Sequence, residues 1–164
     1  MRKLKINLKS QLRNWNDFTI QTLILIPFAI YAYHEYKSDK VLYPFYIFSF
    51  IQFSFTAYLH LRYYFQNKGE EYIIDSKSIT KFKKHTKEVY LNDDIKKIEI
   101  CKSANMDSLG IPYTTFERFR CARIYLKNGQ SFILTNLLEF DLESSLKILK
   151  DVEFIRRKGF SFFI

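Results

Sequence analysis

Two kinds of hydrophobic pattern divide this chain. From Phe18 to His34, and again from Val41 to Leu61, no charged residue interrupts the apolar positions, with His34 taken as neutral. From Glu71 onward the apolar positions come as short alternations broken by polar turns, the period-2 signature of strands. A membrane-spanning helix needs roughly 20 predominantly apolar residues, with a range of about 17–25. Val41–Leu61 lies inside that range and Phe18–His34 at its short end. A cleaved signal peptide would want a small-residue site after the apolar run, yet this run ends Ala29-Ile30-Tyr31-Ala32-Tyr33-His34. A buried helix of a soluble domain is the other reading of so short a segment. The tight link His34–Lys40 between the two runs favours an antiparallel transmembrane hairpin over residues 17–66.

The first 16 residues carry five basic residues and no acid, whereas Glu35 and Asp39 balance the two lysines of the link. By the bias of Lys and Arg toward the cytoplasmic side, this reads as a multi-pass inner-membrane protein with both termini in the cytoplasm. On the second run Ser49, Gln52, Thr56 and His60 recur at steps of 3, 4 and 4, hence on one helix face. With no Asp, Glu, Lys or Arg inside either run, that face reads as helix-packing glue rather than an ion path. Pro27 deprives the Leu23 carbonyl of its helical donor, and Gln52 is the expected replacement.

Beyond Glu71 the candidate strands are Tyr72–Ile74, Ile79–Phe82, Glu88–Leu91, Ile95–Cys101, Phe116–Leu126 and Ser131–Thr135, with a loop over Ser103–Pro112. Asn128-Gly129 between the last two predicts a hairpin whose two turn residues both need φ > 0. Asp141–Lys158 reads as a closing helix: Asp141 as N-cap, Leu142, Leu146, Leu149, Val152 and Phe154 as the apolar stripe, Arg156-Arg157-Lys158 at the C-terminal end and Gly159 as the cap. The expected fold class is α+β: a two-helix transmembrane hairpin, then an antiparallel β-barrel or sandwich capped by a C-terminal helix. The divisions are a basic segment 1–16, the hairpin 17–66 and a cytoplasmic domain 69–164.

Composition narrows the function more than it names it. Aromatic residues at 18%, with only four Gly and three Pro, exclude a disordered chain. Two cysteines exclude a disulfide scaffold, and Cys101 and Cys121, both in predicted strands, read as small apolar residues that stay reduced in a cytoplasmic domain. Nucleotide, dinucleotide, nucleophile-elbow and zinc-protease motifs are all missing, and His34, His60 and His85 fall too far apart to share a metal. The expectation is no catalysis, no metal and no cofactor. Nine basic residues face three acidic ones in 1–68, against seventeen and fourteen afterwards. The membrane-orientation bias accounts for much of a pI near 9.4, so nucleic acid is set aside as a partner.

Two places are left as candidate binding elements. Lys81, Lys83, Lys84 and Lys87 make a basic strand–strand turn, open to three readings: a solvated turn, an anionic-headgroup site or a seat for an acidic protein. Arg156, Arg157 and Lys158 precede the apolar tail Phe160, Phe162, Phe163, which either docks on a membrane or partner or folds back onto its own barrel.

The order of strands and closing helix is that of a pleckstrin-homology-like (PH-like) barrel. Three stretches, Glu71–Asp75, Leu91–Ile98 and Arg123–Gly129, together with the hairpin, resemble bacterial membrane proteins that join a transmembrane helix hairpin to a PH-like domain. That resemblance implies an interaction role without catalysis. The expected function is an integral membrane adaptor or accessory subunit of a membrane protein complex, contacting lipids and a membrane partner and compatible with homo-oligomers. The alternatives are an anchored sensor of anionic headgroups and, further off, a small transporter or pore subunit. Within the hairpin, Pro27, Ser49, Gln52 and Thr56 are the expected packing residues.

Overall fold

The computed structural model describes residues 1–108 and 112–157. In chain order the elements are β1 (Arg2–Lys5), α1 (Leu8–Tyr36), α2 (Tyr43–Asn67), β2 (Glu70–Ile74), β3 (Ser78–Lys83), β4 (Thr86–Leu91), β5 (Ile95–Cys101), α3 (Ala104–Ser108), β6 (Cys121–Leu126), β7 (Ser131–Thr135), α4 (Leu142–Leu146) and β8 (Phe154–Arg157). They build two four-stranded sheets, β1-β2-β3-β4 and β7-β6-β5-β8. The sheets close on a core in which Leu4, Tyr72, Ile74 and Ile79 of the first face Ile98, Ile100, Ala122, Ile124 and Leu134 of the second. The Phe132 ring stacks on Tyr90 at 4.8 Å and on Tyr72 at 6.1 Å, joining the sheets at one end.

The chain enters this sandwich at its first residues. Leu4 is fully buried while Arg2, Lys3 and Lys5 stay exposed, and β1 pairs antiparallel with β2 in the register Leu4↔Tyr72 and Lys5↔Glu71. Lys3 and Lys5 reach Glu71 at 2.6 and 3.5 Å. Part of the basic charge read as a membrane-orientation signal is therefore cross-strand pairing. The helical hairpin is an insertion between two neighbouring strands of one sheet. Asn7 opens α1 with a capping box, its Oδ1 accepting from the Ser10 amide at 2.8 Å and Ser10 Oγ accepting from the Asn7 amide at 3.1 Å. Gly69, at φ 73°, supplies the left-handed turn that sends the chain from α2 into β2.

The transmembrane expectation is overturned: among the described residues no helix is long and apolar enough to cross a membrane. Tyr43, Tyr46, Ser49, Gln52, Ser54, Thr56, Tyr58 and His60 dilute the second run, and Thr19, Gln21, Thr22, Tyr31 and Tyr33 the first. Absence of charge does not make a segment apolar. Geometry adds a second reason. From Gln52 to Asn67 one face of α2 is packed on the Thr115–Arg118 turn and on β7, so only Tyr43–Ile51 stands clear. At 1.5 Å per residue that is about 14 Å, half of a bilayer core of about 30 Å. The multi-pass placement with two cytoplasmic termini falls with the spans.

The C-terminal expectation is overturned as well. Asp141 does cap a helix, accepting from the Ser144 amide at 3.2 Å, but α4 ends at Leu146. The chain turns at Asp151 (φ 59°), and Phe154–Arg157 joins the second sheet as β8, parallel to β5 with Ile98↔Phe154 and Ile100↔Arg156. An open sheet edge outbid the helical periodicity, because β8 satisfies the backbone of β5 where a longer helix would leave it bare. The Asn128-Gly129 hairpin is present, but its loop has four residues and only Gly129 (φ 87°) is left-handed. Asn128 instead accepts from the Gln130 amide at 2.9 Å through Oδ1. Lys158, Gly159, Phe160, Phe162 and Phe163 lie outside the described residues.

Candidate interaction surfaces

The base of the hairpin is fastened to the sheets by buried polar contacts. Gln52 Oε1 accepts from Thr115 Oγ1 at 2.9 Å and from the Thr115 amide at 3.2 Å, and Thr56 Oγ1 meets Thr115 Oγ1 at 2.5 Å. Gln52 and Thr56 of the α2 polar stripe are held by Thr115 in the turn Thr115–Arg118, not by the Leu23 carbonyl. Pro27 is exposed and Ser49 half-buried. On α1, Asp17 takes a two-pronged ion pair from Arg118. Asn14 Oδ1 accepts from Asn136 Nδ2 at 2.9 Å. At the end of α2, Asn67 is 1% exposed and fully engaged. Its Nδ2 donates to Ile133 O at 2.8 Å and Glu70 Oε2 at 3.1 Å, and its Oδ1 accepts from the Thr135 amide at 2.9 Å.

The predicted basic turn divides between two faces. Lys81 and Lys83 lie on the face of Glu70, at 3.2 and 3.1 Å from its Oε1, while Lys87 pairs opposite Phe82 on the other face. Burial by itself would raise the Glu70 carboxyl. Hydrogen bonds from Tyr72, Asn67, Lys83 and Lys81 outweigh it and hold the group below the usual carboxylate range. Two of the four lysines are thus committed to an internal carboxylate, leaving Lys84, at φ 53° in the turn, and Lys87 exposed. The same holds at the other predicted cluster. Arg156 pairs with Glu143, which also receives Lys102 at 3.2 Å and Lys147 at 2.9 Å, and Arg157 lies 3.6 Å from Glu99. Burial of Glu143 is offset by those donors, and its carboxyl is lowered to about 2.

Two features escaped sequence reasoning. The free end of the hairpin exposes large side chains on both helices: Phe28 (60%), Ile30 (64%) and Tyr31 (67%) on α1, Tyr46 (62%), Ile47 (60%) and Phe50 (71%) on α2. Between the helix ends a groove of about 360 Å³ is lined by Ile26, Ile30, Tyr33, Leu42 and Tyr46. The apolar residues were legible, but their exposure away from the domain was not. The second feature is a set of three guanidinium groups around Phe140, from Arg13, Arg118 and Arg120. The Arg-x-Arg spacing at 118–120 was visible; its meeting with a helix a hundred residues earlier was not.

Among the described residues no group of His, Cys, Asp or Glu converges as a metal site. His60 packs on Trp15 at 5.7 Å, and burial lowers its pKa. Cys101 and Cys121 are fully buried thiols, not joined by a disulfide, that face each other across β5 and β6.

A family model described as PH domain matches residues 5–144. The chain belongs to the PH domain family, and the matched stretch includes the helical hairpin. No curated protein matches the chain. No solved structure matches it.

Proposed function

We propose that this PH domain is a non-catalytic interaction module, an adaptor that docks on a partner protein through the free end of its inserted hairpin. PH domains as a class serve protein or lipid binding, which fits the coarser part of this reading. The observation that carries the finer part is the cluster of exposed aromatic and branched side chains around Phe28, Ile30, Tyr46 and Phe50. Apolar patches on monomers seldom exceed a few hundred Å², and larger ones mark contact sites. Aromatic residues are enriched where protein interfaces are most buried, and the groove beside Tyr33 and Tyr46 offers room for a partner side chain. The two basic clusters contribute less, because Glu70, Glu143 and Glu99 already neutralise much of their charge.

The test is a photo-crosslinking residue at position 50 of the full-length chain in cells that make it. A discrete adduct with one other protein, lost when Tyr46→Asp is added, supports docking. An adduct of twice the chain mass assigns the surface to a second copy. Adducts with lipid alone reject the protein-docking reading in favour of a bilayer surface.

A further inference from the structure

The two sheets present four edges, and three of them are blunted or covered. β1 and β8 are four residues each and carry charge, Arg2, Lys3 and Lys5 on the one and Arg156 and Arg157 on the other. β7 is covered by the Asn67 side chain, which donates to Ile133 O and accepts from the Thr135 amide as a neighbouring strand would. The β4 edge has neither device. It is six residues long, contains no proline, and ends its sheet; among the described residues β3 is the one strand paired with it. Every residue of β4 but Tyr90 is exposed, Val89 to 48% and Leu91 to 53%.

The register shows which backbone groups reach that edge. Asn92, just past β4, donates to Lys77 O at 2.9 Å, on the β3 side. Hydrogen bonding alternates along an antiparallel strand, so Tyr90, Glu88 and Thr86 also address β3. Lys87, Val89 and Leu91 therefore turn their N–H and C=O groups to the open edge. The Leu91 amide fits this direction, since it donates to Asp94 Oδ2 at 2.9 Å and not to β3. On the side-chain faces, Tyr90 points inward to stack on Phe132, and Val89 and Leu91 share the outer face.

We propose that β4 pairs antiparallel with β4 of a second copy, about a twofold axis at Val89. That axis must fall on a residue whose N–H and C=O point outward, and Val89 is the middle one of the three. In this register Val89 stands opposite Val89, Lys87 opposite Leu91, and Glu88 opposite Tyr90 of the second copy. The two Val89 residues exchange a pair of hydrogen bonds, and each Lys87 amide donates to the Leu91 carbonyl across the axis. On the outer face Val89 packs on Val89, and Leu91 lies along the aliphatic stem of Lys87. The ends match in charge. The turn before β4, with Lys84 and His85, runs beside Asp93-Asp94 of the other copy, twice over by symmetry, and all four side chains are exposed. Pairing consumes the edge it uses, so it closes at two copies. Two strands this short bury less than the roughly 1,200 Å² of a standard interface, which sets the expected dissociation constant at about 10–100 µM. The dimer leaves the hairpin tip free and does not depend on what docks there.

Sedimentation equilibrium of the full-length protein from about 5 to about 500 µM tests it, with a monomer–dimer transition expected inside that range. Val89→Pro removes an outward N–H from each copy and no bond to β3. It should keep the wild-type melting temperature in dilute solution and weaken the dimer roughly thirtyfold or more, the loss of two hydrogen bonds. Val89→Lys retains the backbone amide, sets two ammonium groups opposite each other, and should weaken the dimer even where proline disturbs the strand. Asp93→Lys should weaken it too, and adding Lys84→Asp should restore it. Val89→Cys should form a disulfide-linked dimer under oxidised glutathione, because opposed residues of a hydrogen-bonded pair stand about 5.5 Å apart at Cα. Tyr46→Asp, at the hairpin tip, should dimerise as the wild type does. A protein that stays monomeric throughout the range overturns the proposal. So does a dimer that neither Val89→Pro nor Val89→Lys weakens, or one that Tyr46→Asp abolishes.

Discussion

Asn67 joins the hairpin to both sheets, and its loss should cost more than any single exposed ion pair. The side chain closes α2 onto β7 through Ile133 and Thr135 and onto β2 through Glu70, with every donor and acceptor used. Asn67→Ala strands the amide of Thr135, a fully buried residue, and takes one of four donors from Glu70. A stranded buried polar group costs about 1–3 kcal/mol, and a hydrogen bond to a charged group contributes about 1.5–3 kcal/mol. Water entering the vacated space recovers part of this, so the expected loss is about 3 kcal/mol. With a urea slope of about 2 kcal/mol per M, the unfolding midpoint should fall by roughly 1.5 M. Trp15, the one tryptophan, packs on Phe53 and His60 and reports the hairpin by fluorescence, while far-ultraviolet circular dichroism reports the whole chain. Asn67→Asp is the sharper variant. It keeps the acceptor for Thr135 but sets a second carboxylate against Glu70 Oε2, which stands 3.1 Å from the present donor. Above neutral pH it should be less stable than Asn67→Ala, and its deficit against wild type should shrink as the pH falls and the two carboxyls share a proton. A midpoint shift under about 0.3 M for Asn67→Ala, below the scatter of such extrapolations, would refute the argument. Wild-type stability of Asn67→Asp at pH 7.5 would do the same.

Other perturbations read other joints. The Glu143 carboxyl is lowered from 4.5 to about 2, so its contribution is complete above pH 4.5 and is lost as the pH falls toward 2. Glu143→Gln should cost about 1–2 kcal/mol at pH 7, discounted because Arg156 and Lys147 are half exposed to water, with the gap to wild type closing by about pH 2. A gap that stays constant across that range would show that the carboxylate charge does not stabilise the fold. For the hairpin base, Gln52→Leu and Thr115→Val should each destabilise by about 1–3 kcal/mol, and the double variant by clearly less than their sum, since neither leaves the other's polar group stranded. Pro27→Ala should show no such coupling to Gln52; additive Gln52–Thr115 effects would remove that contact from the account. Finally, Cys101 and Cys121 are fully buried, and the Cys121 thiol is pushed up by its hydrogen bond with Cys101 and by burial. Iodoacetamide at pH 8 should leave both unmodified in the native protein and alkylate both in urea, read by mass spectrometry; rapid native labelling would mean that strands β5 and β6 open readily.

Much of the sandwich was legible because a strand half-buried on one face writes itself into the sequence with period 2. The stretches Ile95–Cys101 and Ser131–Thr135 matched their predicted bounds, and the hairpin between β6 and β7 was marked by Asn128-Gly129. The capping role of Asp141 was readable for the same reason, since a side chain that bonds three residues ahead is a local event. The strand Arg2–Lys5 carried its own signal, Leu4 and Ile6 alternating with basic residues, but it was read as orientation charge because its partner lies almost seventy residues on.

What the sequence could not decide was where each apolar face would find its partner. Charge-free runs show that a segment avoids ions; they do not show whether hydrocarbon, a sheet or another protein covers it. Here Gln52, Thr56 and Asn67 turn one face of α2 toward Thr115 and β7, so the base of the hairpin belongs to the domain and only its tip stands free. The closing segment shows the same limit: Leu142, Leu146, Leu149 and Val152 fit a helix, yet the unfilled edge of β5 recruited Phe154–Arg157 as a strand. The arginines at Phe140 come from residues 13, 118 and 120, and only the folding of α1 against the Thr115–Arg118 turn brings them to one ring. Local propensity reports on bonds within a few residues, whereas edges, shared rings and shared carboxylates are settled between segments distant in the chain.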